Sequence, residues 1–283
     1  MLPFQIVLSV CSMVLQNCIL NKVCKKELQS SDHVYRFNMI SYAVCILLFT
    51  VLAIQGGVSW FTLGMGALFG VVTALSNLYK MSALSTGPMH ITLLITTASM
   101  IIPTMSGIFF GETFSLPKLL TVGVLLFFIY LTLGRSDDFK KSKLWFLYCL
   151  IAFLLQGTIG VLQKIHQTSA HKGETGSFLL IAFICSLIYS RIRAKKTFGE
   201  LKFTKKTVIF SIISGICIFG MNFLNLRLSG LLPSQLFFPL VNGSAIVLSS
   251  LASFLLFHEK LTKRQIIGLI GGIASLIAIC LIP

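Results

Sequence analysis

The chain has 283 residues, of which 55% are hydrophobic and 11% are charged, and its formal net charge is +15. Soluble domains carry about 25% charged residues, so this composition excludes a soluble globular protein. Because one membrane-spanning helix needs roughly 20 apolar residues, a chain of this length has room for about ten spans joined by short loops.

Ten apolar segments follow one another along the chain, and we predict that each one is a transmembrane helix. The first lacks the basic start and the small-residue cleavage site of a signal peptide, so we interpret it as a span. Five segments lie on each side of a hydrophilic linker, 135–143, which divides the chain into 1–134 and 144–283. The approximate bounds of the spans are 4–20, 37–54, 60–78, 89–110, 116–133, 144–162, 177–189, 208–226, 236–257 and 265–282.

A sequence repeat relates the fourth span to the ninth. Three polar positions recur at an offset of 145 residues, and within each copy they stand seven residues apart. The pairs are His90 with Gln235, Thr97 with Asn242 and Thr104 with Ser249. Seven residues make about two helical turns, so each copy is predicted to carry a polar stripe along one face, and the two stripes to face each other across a shared cavity. Since each half has an odd number of spans, we predict an all-α membrane protein of two inverted five-helix repeats.

The lysines and arginines predict the orientation of the chain. Of the 23, 19 fall in or beside the odd-numbered connections between spans. By the positive-inside rule those connections lie in the cytoplasm, and both termini lie outside a cell (plasma) membrane. The cations are spread over several loops without interleaved aromatic residues, so we expect the lipid bilayer as a partner and no nucleic acid.

A short turn motif follows the fourth and ninth spans. It reads F-G-E-T-F-S around Glu112 and F-H-E-K-L-T around Glu259, and each copy leads into a glycine-bearing span. These turns, the proline-bearing fourth and ninth spans and the five-plus-five arrangement resemble the EamA-type ten-helix members of the drug/metabolite transporter superfamily. The resemblance covers the whole chain, but its loose motifs name no substrate.

The resemblance implies a basket of two inverted repeats around a central cavity that opens alternately to either side, with metabolites or drugs as substrates. Glu112 and Glu259 match the glutamates of the family's turns. Relatives in this family place their termini in the cytoplasm, whereas the charge distribution here predicts the reverse.

Polar side chains inside the spans are costly in a bilayer and are therefore candidates for substrate binding. The alternative for each is a hydrogen bond between neighbouring helices, and His90 also fits an interfacial histidine. Asn242 is the strongest candidate, because its amide can donate and accept and Gly243 follows it. The predicted substrate-binding residues are Asn17, Asn77, Lys80, His90, Thr97, Asn222, Asn225, Gln235 and Asn242.

No aspartate or glutamate stands in the middle of a predicted span. Exporters of cationic drugs use a buried carboxylate, so the sequence favours a secondary transporter of a small zwitterionic or anionic metabolite. Glu112 and Glu259 are interpreted as turn or gate residues. The alternatives are a cation or drug exporter, a flippase for lipid-linked substrates, and a receptor or subunit that moves no solute.

Nothing in the sequence predicts catalysis. It has no phosphate-binding glycine loop and no HExxH motif, and its eight cysteines lack metal-ligand spacing. We therefore expect that the protein is not an enzyme and that it binds no cofactor and no metal. The spacings Gly66-x-x-x-Gly70 and Gly268-x-x-x-Gly272 predict helix-packing faces within the chain or the face of a homodimer.

Overall fold

The structure is a computed structural model in which every regular element is a helix over the residues that it describes. Those residues are 2–24, 31–54, 56–87, 89–113, 115–132, 143–194, 204–257 and 262–282. Helices are the expected result for apolar runs, because a helix bonds its own backbone N–H and C=O groups where no water reaches them. Polar caps define where several helices begin: the hydroxyl of Ser59 accepts a bond from the Thr62 N–H at 3.1 Å.

Eleven helices are present in the described part of the chain. They are α1 (Leu2–Cys24), α2 (Ser31–Ala53), α3 (Trp60–Thr86), α4 (Met89–Ala98), α5 (Ile101–Ser106), α6 (Leu116–Thr132), α7 (Lys143–Thr168), α8 (Thr175–Arg193), α9 (Lys205–Leu231), α10 (Ser234–Phe257) and α11 (Lys263–Leu281). Within these residues, nine segments are long and apolar enough to cross a membrane, and α6 is a shorter apolar helix. The chain is therefore a multi-pass helical membrane protein, as the sequence predicts.

Several helices continue past their predicted ends. The seventh span was predicted to cover 177–189, whereas α8 covers Thr175–Arg193, and α7 runs on to Thr168 instead of ending at 162. Hydropathy falls where polar residues begin, but a helix persists there when those side chains have partners. Lys164, which the sequence placed in a connection, consequently lies inside α7.

The predicted fourth span is broken in the middle. Pro103 has no N–H to bond to the carbonyl of Ser99, and that carbonyl instead accepts from the N–H of Ile102 at 3.0 Å. The resulting turn at Ser99 and Met100 separates α4 from α5, and a 3₁₀ turn over Gly107–Phe110 follows. By contrast, α10 is continuous through Pro239, which stands only one turn after the helix begins.

Helices of the first half pack mainly against helices of the second. α2 packs on α8 and α9, α3 packs on α7 and α8, and α1 packs on α9 and α10. α6 packs on α11, and α10 also contacts α5 and α6. The centre of the bundle is therefore enclosed by α1, α3, the α4–α5 break, α7, α9 and α10.

Both predicted glycine faces are used within the chain. A Cβ atom added at Gly66 would lie 2.9 Å from the carbonyl oxygen of Phe178, and one added at Gly70 would meet the backbone of Ala182 still more closely. Gly268 approaches the backbone of Thr132 in α6 in the same way. These glycines let α3 approach α8 and α11 approach α6 at backbone distance.

We expect Gly70→Ala to destabilise the protein, because its methyl group would push α3 away from α8. The matched control is Gly64→Ala on the same helix, where an added Cβ meets no atom within 4 Å. The loss at Gly70 should be about 1–3 kcal/mol, whereas Gly64→Ala should be neutral or gain up to about 1 kcal/mol from helix propensity. Thermal unfolding in detergent measures both. Equal midpoints for the two variants would contradict the α3–α8 contact.

Candidate functional site

A cavity of about 100 Å³ lies between α1, α3, the α4–α5 break, α7, α9 and α10. Six amide side chains contribute to its wall: Asn77, Gln156, Gln163, Asn222, Asn225 and Asn242. The hydroxyls of Thr73 and Ser99 add to them, and no charged residue of the described chain lines this cavity. Ligand pockets usually exceed roughly 300 Å³, so the helices must separate further to admit a metabolite.

Helical spacing places these side chains on common faces. Thr73 and Asn77 are four residues apart in α3, and Asn222 and Asn225 are three apart in α9. Side chains three or four residues apart lie above one another on a helix, so each pair reaches the same wall. Ser99 reaches the cavity because the break between α4 and α5 turns it inward.

Two of the asparagines have amides whose orientation is fixed by the backbone. Asn242 donates its Nδ2 hydrogen to the carbonyl of Phe238 at 2.9 Å, and Asn222 donates to the carbonyl of Ile218 at 2.9 Å. Since a backbone carbonyl can only accept, the nitrogen of each amide must face its own helix. In the part of the chain that the structure describes, no donor bonds either Oδ1 atom. The cavity therefore offers two free acceptors on neighbouring helices.

One other polar atom of the wall also lacks a partner. The Thr73 hydroxyl is buried without a hydrogen bond. By comparison, Asn77 donates to the Tyr42 hydroxyl at 2.8 Å. A buried polar group without a partner costs about 1–3 kcal/mol, and such groups in native proteins usually face a ligand or water.

A buried ion pair involves the residue that follows Gln163 of the cavity wall, although neither of its partners lines the cavity. Lys164 follows Gln163 in α7, is 4% exposed and pairs with the Glu112 carboxylate. Its Nζ also donates to the carbonyls of Ser229 at 2.9 Å and Leu232 at 3.2 Å, at the end of α9. We call this side of the bundle, which carries the turn between α7 and α8, the α7–α8 end.

Glu112 also holds the start of α10. Its Oε2 accepts from the backbone N–H of Ser234 at 2.6 Å, and its Oε1 accepts from the Ser234 hydroxyl at 3.2 Å. A carboxylate at a helix N-terminus is stabilised by the helix dipole. The pair thus joins the turn after α5 to α7, α9 and α10, a position that agrees with the predicted turn or gate role of Glu112. Glu259 lies outside the described residues.

Several predicted binding residues lie away from this cavity. Asn17 donates to the Ser249 hydroxyl at 3.2 Å, and Gln235 accepts from the backbone N–H of Ser115 at 3.0 Å. Lys80 and Thr97 are half-buried and do not line it. The His90 side chain lies outside what the structure describes.

Among the described side chains of the two predicted stripes, only Asn242 lines the cavity. The stripes were drawn on straight helices, and the break after α4 rotates the residues on its two sides relative to each other. Thr104 bonds to the carbonyl of Met100 at 2.6 Å, and Ser249 bonds to that of Ala245 at 2.5 Å. These hydroxyls are therefore satisfied by their own helices.

The ion pair is the feature that the sequence did not predict. Lys164 lay beyond the predicted end of the sixth span, and Glu112 was interpreted as a turn or gate residue without a predicted partner. A lysine within an otherwise apolar run is the one available signal, because such a charge needs a buried partner. The sequence gives no means of choosing that partner.

We expect Glu112→Gln to lower stability, because it removes the negative charge beside Lys164 while keeping an oxygen that can accept from Ser234. Breaking a buried pair by neutralising one partner costs roughly 3–5 kcal/mol. The thermal unfolding midpoint in detergent measures the loss. In the double variant Glu112→Gln with Lys164→Met, which buries no unpaired charge, part of the stability should return. A single variant as stable as the unmodified protein would show that the pair contributes nothing.

Comparison with known proteins gives a structural likeness without a family. No family model and no curated protein matches the chain. One solved crystal structure, described only as that of a protein, superimposes with a TM-score of 0.71 over 99% of this chain and 96% of that chain, at 16% sequence identity. At that identity the likeness shows a shared fold alone. The arrangement of helices described above therefore also exists in a crystal structure.

Proposed function

We propose that the chain is a secondary transporter that moves a small polar metabolite across the membrane by alternating access. The observation that carries this proposal is the central cavity, where the Thr73 hydroxyl and the Oδ1 atoms of Asn222 and Asn242 have no partner among the described residues. Such groups are expensive in a bilayer and are kept where a solute replaces water. The drug/metabolite transporter family of EamA type remains our proposal for the relationship, on its sequence resemblance.

The cavity wall favours a substrate without net charge. No lysine, arginine, aspartate or glutamate of the described chain lines it. Lys80, which was predicted to bind the substrate, is therefore not part of its wall. An anion or a cation would enter this space without a countercharge, at a large desolvation cost. A zwitterion or a neutral polar molecule meets acceptors at Asn222 and Asn242 and donors elsewhere. We therefore place zwitterions and neutral polar molecules ahead of both anions and cationic drugs.

The packing of helices supports two inverted repeats. If α1 to α3 of the first half correspond to α7 to α9 of the second, then the contact of α1 with α9 corresponds to that of α3 with α7. The contact of α2 with α9 corresponds likewise to that of α3 with α8. A pseudo-two-fold axis in the membrane plane accounts for these pairs of equivalent contacts. Inverted repeats related in this way can alternate access by rocking of one half against the other.

In this proposal, the ion pair between Glu112 and Lys164 is a gate of the alternating-access cycle. It joins α7 to the turn after α5 and to the start of α10, so access from the α7–α8 end requires it to separate. In this proposal, binding energy from the substrate offsets the cost of separating the pair, because a ligand shifts a conformational equilibrium only by its differential affinity.

We expect Asn242→Ala and Asn222→Ala to reduce transport at least tenfold, because each removes a free acceptor from the cavity. Proteoliposomes incubated with a mixture of small polar metabolites, and analysed by mass spectrometry, should show saturable uptake of at least one of them. Asn17→Ala is the matched control: it removes an amide bonded to Ser249 outside the cavity and should leave uptake unchanged.

Two outcomes would count against the proposal. Uptake no higher than in empty liposomes would reject transport of these solutes. Equal losses in the three variants at equal protein levels would reject the assignment of the cavity and point to general destabilisation.

We also propose that the α7–α8 end faces the outside of the cell membrane, on the charge distribution. A cysteine at Lys172 should then react with a membrane-impermeant maleimide in intact cells, in a background whose native cysteines are replaced. A cysteine at Lys263, exposed at the opposite end, should react only after lysis. The reverse pattern would place both termini in the cytoplasm.

A further inference from the structure

A second cavity, of about 520 Å³, opens at the α7–α8 end. It lies between the end of α2, the turn before α8, the first turn of α8 and the end of α9, and its wall includes Leu52, Lys172, Gly173, Gly176 and Arg227. It shares no lining residue with the central cavity. We call it the basic pocket.

The charges of the basic pocket all have one sign. Lys172 and Arg227 line it, and no acidic residue of the described chain does. The neighbouring Glu174 is engaged elsewhere: its Oε2 accepts from the Ser59 N–H at 2.9 Å and from the Ser59 hydroxyl at 2.8 Å. Neither Lys172 nor Arg227 forms an ion pair with a described carboxylate. Two cations without counterions therefore share one concave surface.

The wall holds its arginine in place. The guanidinium carbon of Arg227 lies 5.6 Å from the ring centroid of Phe223, which also lines the pocket. A cation over an aromatic face is attracted by the ring and loses part of its freedom. A planar guanidinium fixed in this way presents its N–H groups to the two oxygens of one oxyanion.

Four residues of the wall are glycines, Gly56, Gly173, Gly176 and Gly230, and their surroundings differ. A Cβ added at Gly173 would meet no atom within 4 Å, whereas Cβ atoms at Gly176 and Gly230 would press on Leu52 and Gln167. The pocket also borders the N-terminal end of α8, a helix of 19 residues. The positive end of that helix dipole adds to the attraction exerted by the two side chains.

We propose that the basic pocket binds an oxyanion of the phosphate class through Lys172 and Arg227. Two sources share this chemistry at a membrane surface, a free phosphate-bearing solute and the phosphate of an anionic lipid headgroup. The site is separate from the proposed transport cavity, because the two cavities share no lining residue.

Calorimetric titration of inorganic phosphate tests the first source, with the full chain in nanodiscs of phosphatidylcholine. We expect saturable binding that weakens at least tenfold in Arg227→Gln and in Lys172→Gln, and that weakens further with added salt. Gly173→Leu keeps both charges but fills the pocket, so it should abolish binding. The matched controls are Lys118→Gln, a basic residue outside the pocket, and Gly64→Leu, where a side chain also enters open space.

Nanodiscs that contain phosphatidylglycerol test the second source. If the ligand is a lipid, this lipid should raise the unfolding midpoint of the unmodified protein above that in phosphatidylcholine, and Arg227→Gln and Gly173→Leu should lose the increase. Specific binding in either arm supports the proposal and identifies the source. If neither probe binds saturably, or if the pocket variants behave like the two controls, the proposal is overturned. A failure of transport would not affect either readout.

Discussion

Inside a bilayer, a polar group that has lost water must find its partner within the protein, and this requirement accounts for much of the structure. It makes the apolar segments helical, and it determines what happens where a helix is interrupted. At the α4–α5 break, the carbonyl of Ser99 cannot bond to Pro103 and accepts from Ile102. Lys164 meets the same requirement with one carboxylate from the turn after α5 and two carbonyls from the end of α9.

Against this background, some polar atoms of the central cavity have no partner in the described part of the chain. The Thr73 hydroxyl is buried without a hydrogen bond, and the oxygens of Asn222 and Asn242 accept from no described donor while helix carbonyls hold their nitrogens. The hydroxyls of Ser177 and Ser214 and the Nε2 atom of Gln235 also lack partners outside this cavity, so a missing bond alone does not mark a site. The cavity differs in that its partnerless atoms line one space between helices of both halves, which is where we propose that the solute binds.

The ion pair and the basic pocket, which both lie at the α7–α8 end, differ in how charge is neutralised. Near the central cavity, charge is neutralised at once, since Glu112 and Lys164 bind each other and the start of α10. In the basic pocket, Lys172 and Arg227 remain without a described carboxylate. A transporter that selects neutral or zwitterionic solutes in an uncharged cavity has no use for these two cations in the transport step. Their position at the surface of the bundle suits an anion that stays at the membrane interface.

Composition and periodicity were enough to predict a multi-pass helical protein and the approximate place of each span, because burial in lipid depends on long apolar runs that a sequence displays directly. The same reasoning predicted Asn77, Asn222, Asn225 and Asn242 as binding candidates, and these four line the central cavity. What it could not decide was which of nine candidates share one space. Asn17 and Gln235 have the same chemistry, yet a hydroxyl on α10 and a backbone N–H before α6 bind them elsewhere.

The break at Ser99, the extension of α7 to include Lys164 and its pairing with Glu112 depend on contacts between segments far apart in the chain. Only the tertiary structure determines those contacts. The sequence reveals that a polar side chain within an apolar run costs free energy in the bilayer, but it does not reveal which group bonds to that side chain.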